Sequence, residues 1–118
     1  MKKGLFAVIL ICAIVLVACG APKKPDTMSQ KTYDNGCRAL EIMEKYNNVE
    51  ISADDAEERL RGIYESLQAE HGGLTDSLES GSNTIVTSDV FLFIAALGGA
   101  GSSTTYELET NLREYLEK

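Results

Sequence analysis

Four side chains of this 118-residue chain are chemically versatile enough to suggest a reaction: the thiols of Cys12, Cys19 and Cys37 and the imidazole of His71. Their spacing narrows the chemistry quickly. A zinc or haem site needs clustered cysteine and histidine ligands. This sequence has no C-x-x-C pair and a single histidine, so neither centre is implied. Nucleophilic catalysis needs a recognisable frame, and there is no G-x-S-x-G, no H-E-x-x-H and no Cys–His arrangement. His71 reads as a cation at a helix C-terminus, which requires no other partner. Glu57, Glu58 and Glu65 read as a solvated helix face, not as a tuned acid/base pair. Gly98-Gly99-Ala100-Gly101 lacks the preceding strand and following lysine of a phosphate-cradling loop. Catalytic residues, metal ligands and cofactors are therefore not expected.

Cys19 gains a role from the element that precedes it. Met1-Lys2-Lys3 is a short basic start, and Leu5 to Ala18 is an almost unbroken apolar run of 14 residues. A spanning helix needs about 20 residues, so the run reads as a secretory leader. Small residues normally occupy the first and third positions before a leader cut, and Leu16 fits the third position poorly. The stretch Leu16-Val17-Ala18-Cys19, followed by Gly20, instead resembles the lipobox of bacterial lipoproteins. The resemblance covers residues 1–20, and no family is identified for the remainder. It implies that the Cys19 thiol carries a diacylglycerol, that the chain is cut before Cys19, and that the new amino group accepts a further acyl chain. Two or more chains give stable anchoring where one gives reversible binding. The implied partner is the lipid bilayer. Asp after the lipidated cysteine favours the inner membrane in the familiar sorting pattern. Gly20 therefore points to the periplasmic face of the outer membrane in a bacterium with two membranes.

The implied cut changes the rest of the arithmetic. Cys12 leaves with the leader, Cys19 is committed to lipid, and Cys37 becomes the single remaining thiol. It is open to three readings: a small buried apolar side chain, a reactive thiol, or an intermolecular bridge. Loss of Lys2 and Lys3 moves the formal charge from −7 to −9. Such acidity excludes a nucleic-acid partner and a polybasic contact with anionic lipid.

Three segments follow: a leader at 1–18, a lipidated N-terminus and flexible tether at 19–35, and a small acidic helical domain at 36–118. The tether composition, with Pro22, Lys23, Lys24 and Pro25, cannot bury enough surface to fold. Its random-coil reach is roughly 20–25 Å. The first helix is expected from Asp34 or Asn35, with Cys37, Leu40, Met43 and Tyr46 as its apolar stripe and Ala39 and Ile42 beside them. The second is capped by Ser52 with Asp55, buries Ala56, Leu60, Ile63 and Leu67, and stops at Gly72-Gly73. Polar residues 73–87 read as a connector in which Leu74 and Leu78 pin a short turn and Thr84–Thr87 is extended. Val90 to Leu97 is apolar on every side, which marks a central helix. A core position, an exposed docking face at Phe91, Phe93, Ile94 and Leu97, and insertion beside the lipid are all open for it. The last helix starts near Ser103 or Thr104, with Thr104 and Glu107 at capping-box spacing, and carries Leu108, Leu112, Tyr115 and Leu116 inward. The expected fold is all-α, an irregular bundle of about four helices.

Two functions from different classes fit. One is a membrane-anchored, non-enzymatic envelope lipoprotein that acts through an envelope protein partner or self-association, as an assembly factor, a complex subunit or an exclusion or immunity protein. The other is a small-ligand carrier or sensor with a pocket beside the apolar helix.

Overall fold

The computed structural model describes residues 24–99 and 103–117. The leader, Cys19 and the tether as far as residue 23 lie outside them. The described residues form four helices: α1 (Gln30–Asn47), α2 (Ala53–His71), α3 (Ser77–Leu97) and α4 (Thr105–Glu117). The architecture is a small all-α bundle.

The first helix begins earlier than the pattern at Asp34 suggests. Ser29 has extended backbone, and its Oγ accepts a hydrogen bond from the Thr32 amide at 3.1 Å, which makes it the N-cap. Met28 just before it is fully buried. The segment from Lys24 therefore belongs to the folded globule and not to a tether that runs to residue 35. The inward stripe is also rotated. Thr32, Asn35, Gly36, Ala39, Ile42 and Met43 are buried, while Cys37, Leu40 and Tyr46 are half-buried flanks. The reason lies at Gly36, where an added Cβ would sit 2.9 Å from Leu116 Cδ2. The helices approach so closely there that small residues, not large apolar ones, form the seam.

A tight cap closes α1. The Val49 amide donates to the Tyr46 carbonyl at 3.0 Å and the Glu50 amide to the Lys45 carbonyl at 2.8 Å, the paired bonds of a Schellman motif. Val49 occupies the left-handed position, at φ 62°, where glycine is usual. A β-branched residue is strained there, and Val49 is 88 % exposed, so no burial offsets the strain. Val49→Gly is expected to stabilise the domain by about 1 kcal/mol, the left-handed penalty less the added freedom of the unfolded chain. A thermal melt that shows a midpoint at or below that of the parent would refute this.

α2 follows its sequence pattern. The Ser52 Oγ accepts from the Asp55 amide at 3.2 Å, and Ala56, Leu60, Ile63 and Leu67 are the buried residues. Asp54 and Asp55 sit in the first turn and His71 in the last, each at the end that the helix dipole favours. Arg61 pairs with Glu57 at 3.1 Å on the exposed side, which adds a few tenths of a kcal/mol, about 0.3–0.5. α4 likewise starts on Thr104, whose Oγ1 accepts from the Glu107 amide at 3.1 Å. It buries Leu108, Leu112 and Leu116.

The largest departure is α3. The polar residues 77–87 are not a connector, and Thr84–Thr87 is not extended: one helix of 21 residues runs from Ser77 to Leu97. Asp76 caps it by accepting from the amides of Leu78 and Glu79. Thr84 and Thr87 return their hydroxyls to the carbonyls of Ser80 and Asn83 at 3.0 and 2.7 Å, which accommodates them inside a helix. Val86, Val90 and Phe93 are wholly buried. Leu78 does not pin a turn to the core; it is 62 % exposed. By length and composition α3 could cross a bilayer, a test that the core helix of a soluble bundle also passes.

Each helix runs antiparallel to the next. Ser29 at the start of α1 reaches Glu70 at the end of α2, and Asn83 early in α3 reaches Leu67 late in α2. Asn47 at the end of α1 meets Thr105 at the start of α4. One pole of the bundle therefore carries the entry at Lys24, the α2–α3 turn and the end of α4. The other carries the α1–α2 turn, the end of α3 and the start of α4.

Candidate functional site

α3 organises both of the features with functional potential. Its first half is fastened from inside by a polar cluster. The Glu70 carboxylate accepts from the Ser29 hydroxyl at 2.5 Å and from the Thr32 hydroxyl at 2.7 Å. Asn83, 1 % exposed, donates to Thr32 Oγ1 and to the Leu67 carbonyl, both at 3.1 Å. Beside it the Ser82 hydroxyl donates to Thr27 Oγ1 at 3.2 Å. Three helices and the incoming chain thus meet at satisfied hydrogen bonds, which fix the register of α3 against α1 and α2.

The outer surface of α3 is apolar. Leu78, Ile85, Phe91 and Leu92 are exposed by 62, 45, 53 and 38 %. Phe91 lies over Tyr64 of α2 with ring centroids 5.9 Å apart. The two rings close one side of an open groove of about 420 Å³ between α2 and α3, whose floor and rim include Gln68, His71, Asn83, Thr84 and Thr87. Such a groove offers aromatic surface and several hydroxyl and amide groups, and its lining residues carry no carboxylate.

The residues singled out in the sequence separate in space. Phe91 is exposed, but Phe93 is fully buried and meets Tyr46 edge-on at a centroid distance of 5.9 Å. Ile94 and Leu97 are partly buried and pack on the core. The four do not form one face. At 100° per residue, positions 91 and 93 point to different sides of the helix. Leu78, Ile85 and Leu92 are the members that the sequence reading missed. Their seven-residue spacing was visible, but it has meaning only once residues 77–87 are known to be helical.

His71 is exposed in the last turn of α2, and its Nδ1 lies 3.4 Å from Ser80 Oγ. Cys37 is free and half-buried beside Tyr33. Burial pushes its thiol up from the ordinary value, and a hydrogen bond with Tyr33 partly opposes that rise. The protonated thiol is the weaker nucleophile. Among the described residues no three His, Cys, Asp or Glu side chains group together to hold a metal.

Asp89, partly buried on α3, has its carboxyl pushed up to about 6 by desolvation. A carboxyl raised above its unfolded value of 3.8 favours folding less as pH rises from about 4 through 6, because the folded state must then give up its proton. Asp89→Asn is therefore expected to stabilise the domain at pH 7.5 by about 1–2 kcal/mol, a range discounted for partial solvent screening. At pH 3 it should change little. Equal urea midpoints for the two proteins at pH 7.5 would contradict it.

Comparison with family models, with curated proteins and with solved structures finds no match for this chain.

Proposed function

We propose that this chain is a lipid-anchored envelope lipoprotein whose helical domain works as a non-enzymatic protein-interaction module. The observation that carries the anchor is the sequence Leu16-Val17-Ala18-Cys19 at the end of a 14-residue apolar run. Cys19 is acylated and the domain is held at the cell envelope, on the periplasmic face of the outer membrane where there are two membranes. The folded globule already includes Lys24, whose Nζ donates to the Met28 carbonyl at 2.6 Å. Only five residue steps separate it from Cys19, a span of at most about 18 Å. The lipid-proximal pole therefore stands next to the headgroups and does not roam on a long leash.

The interaction role is supported by the outer surface of α3, where four large apolar side chains face solvent on a helix with no basic residue. Exposed apolar surface of this kind marks docking sites more often than chance. The test of the anchor is direct. The mature protein should carry the mass of a diacylglycerol, and Cys19→Ser should release the chain from membranes in a carbonate wash. A Cys19→Ser protein that stays with the membrane would defeat the proposal.

A second reading is favoured by the Tyr64–Phe91 groove: a carrier or sensor of a small ligand with an aromatic or aliphatic body. Its volume lies within the range of ligand pockets, roughly 300–1,000 Å³. Intrinsic tyrosine fluorescence titrated with a panel of such ligands should then respond in the parent and not in Phe91→Ser.

A further inference from the structure

We propose that α3 packs against α3 of a second copy of this chain along a seam formed by Leu78, Gly81, Ile85, Ser88, Leu92 and Ala95. Three observations converge on it. Leu78, Ile85 and Leu92 recur every seven residues, and all three are exposed, so they form one line along the outside of the helix. Gly81, Ser88 and Ala95 stand three residues after each of them, in the alternating positions of a heptad seam. The line of large side chains is thereby paired with a line of small ones, and the seam runs for ~25 Å of helix.

Gly81 is the second observation. A glycine inside a helix is disfavoured, and a Cβ at this position would meet nothing within 4 Å. The isolated fold gives no reason for it. A neighbouring helix that approaches closely does, because small residues let backbones draw together. Gly62 on α2 is equally open, but its neighbours along the helix surface are Glu58, Arg59 and Glu65, and no apolar line runs through it.

Charge selects the occupant. α3 holds two acidic residues, Glu79 and Asp89, and no basic one, and neither lies in the seam. The rest of the domain is strongly acidic, with Asp54, Asp55, Glu57 and Glu58 within five residues at the start of α2. A basic partner would be drawn to α2. An uncharged seam calls for a surface that is equally uncharged, and a second copy supplies an identical one, as a two-fold interface requires. When the two helices run parallel, Asp89 faces Thr84 of the second copy, so no like charges oppose each other. The parallel sense rests on the proposed lipid anchor, since two copies held at one membrane present α3 in the same direction.

The test is disulfide trapping of the full chain in bacterial membranes, in a Cys37→Ser background, with copper phenanthroline as oxidant. Ser88→Cys should give a species of twice the protomer mass, and Glu65→Cys on α2 should not. Adding Gly81→Gln or Ile85→Glu should reduce the trapped dimer at least tenfold, whereas Gly62→Gln should leave it unchanged. Gly81→Gln also improves helix propensity, so a thermal midpoint at or above that of the parent separates lost association from lost folding. Ala95→Cys should trap with itself in the parallel arrangement. No dimer from Ser88→Cys, equal dimer from Glu65→Cys, or an adduct of another mass overturns the proposal. So does protection of Ser88→Cys from a water-soluble maleimide without dimer, which would place the seam against lipid. A Ser88 dimer without an Ala95 dimer keeps the seam and overturns the parallel sense. Dimer in the Cys37→Ser background alone would reveal Cys19 as a free thiol, a failure of the anchor and not of the seam.

Discussion

Phe93→Ala is expected to destabilise the domain by roughly 3–5 kcal/mol, while Phe91→Ser, two residues away, should change its stability by less than about 1 kcal/mol. Phe93 is wholly buried and meets Tyr46 of α1 edge-on. Its truncation removes the transfer energy of the ring, the aromatic contact and the close packing around it. Phe91 leaves more than half its surface in water and lies over the ring of Tyr64. A domain of this size is stable by something like 5 kcal/mol. The first variant should therefore be largely unfolded at 37 °C, and the second should melt cooperatively near the parent. Urea titrations followed by helical circular dichroism decide it. Similar losses for the two variants would mean that α3 presents a different side to the core.

Asn83→Ala is expected to cost about 2–3 kcal/mol, although it deletes only a small amide. The loss arises because the Leu67 carbonyl and the Thr32 hydroxyl each lose a donor from a side chain that is itself only 1 % exposed. Glu70→Ala should cost a comparable amount, since it takes from the Ser29 and Thr32 hydroxyls the carboxylate that accepts from both. The two changes share Thr32, so the double variant should lose less than the two separate losses together, by about 1 kcal/mol or more. Strict additivity in a double-mutant cycle would show that the cluster does not act as a unit.

These two cases also mark where the sequence could be read and where it could not. α2 and α4 were legible from capping residues and evenly spaced leucines, because their burial is apolar and local chemistry agrees with the fold. The inward stripe of α1 was legible only at Ala39, Ile42 and Met43; Thr32, Asn35 and Gly36 are selected by hydrogen bonds and by the approach of Leu116, which only the tertiary arrangement supplies. The start of α3 was hidden for the same reason. Ser80, Gly81, Ser82, Asn83 and Thr84 have weak helix propensity, and their place in a helix depends on Asp76, Glu70 and the back-bonded threonines. Of the candidate surface, Phe91 is exposed, whereas Phe93, Ile94 and Leu97 share only its hydropathy, which does not say which side of a helix faces water. The spacing of Leu78, Ile85 and Leu92 was on view throughout and lacked only its helix.

An even number of antiparallel helices has a topological consequence. Leu116, near the end of α4, rests on Gly36, near the start of α1, so both ends of the described chain emerge at one pole. A short glycine-serine link could join Lys24 to Glu117, and the ring could be reopened between Asn48 and Ile51. Such circular permutants are tolerated where termini are neighbours and the new break lies in an exposed turn. The new terminus would leave from the opposite pole. Fused behind residues 1–23, that permutant would, under the proposed lipid anchor at Cys19, stand upside down on the membrane, with α3 pointing the other way.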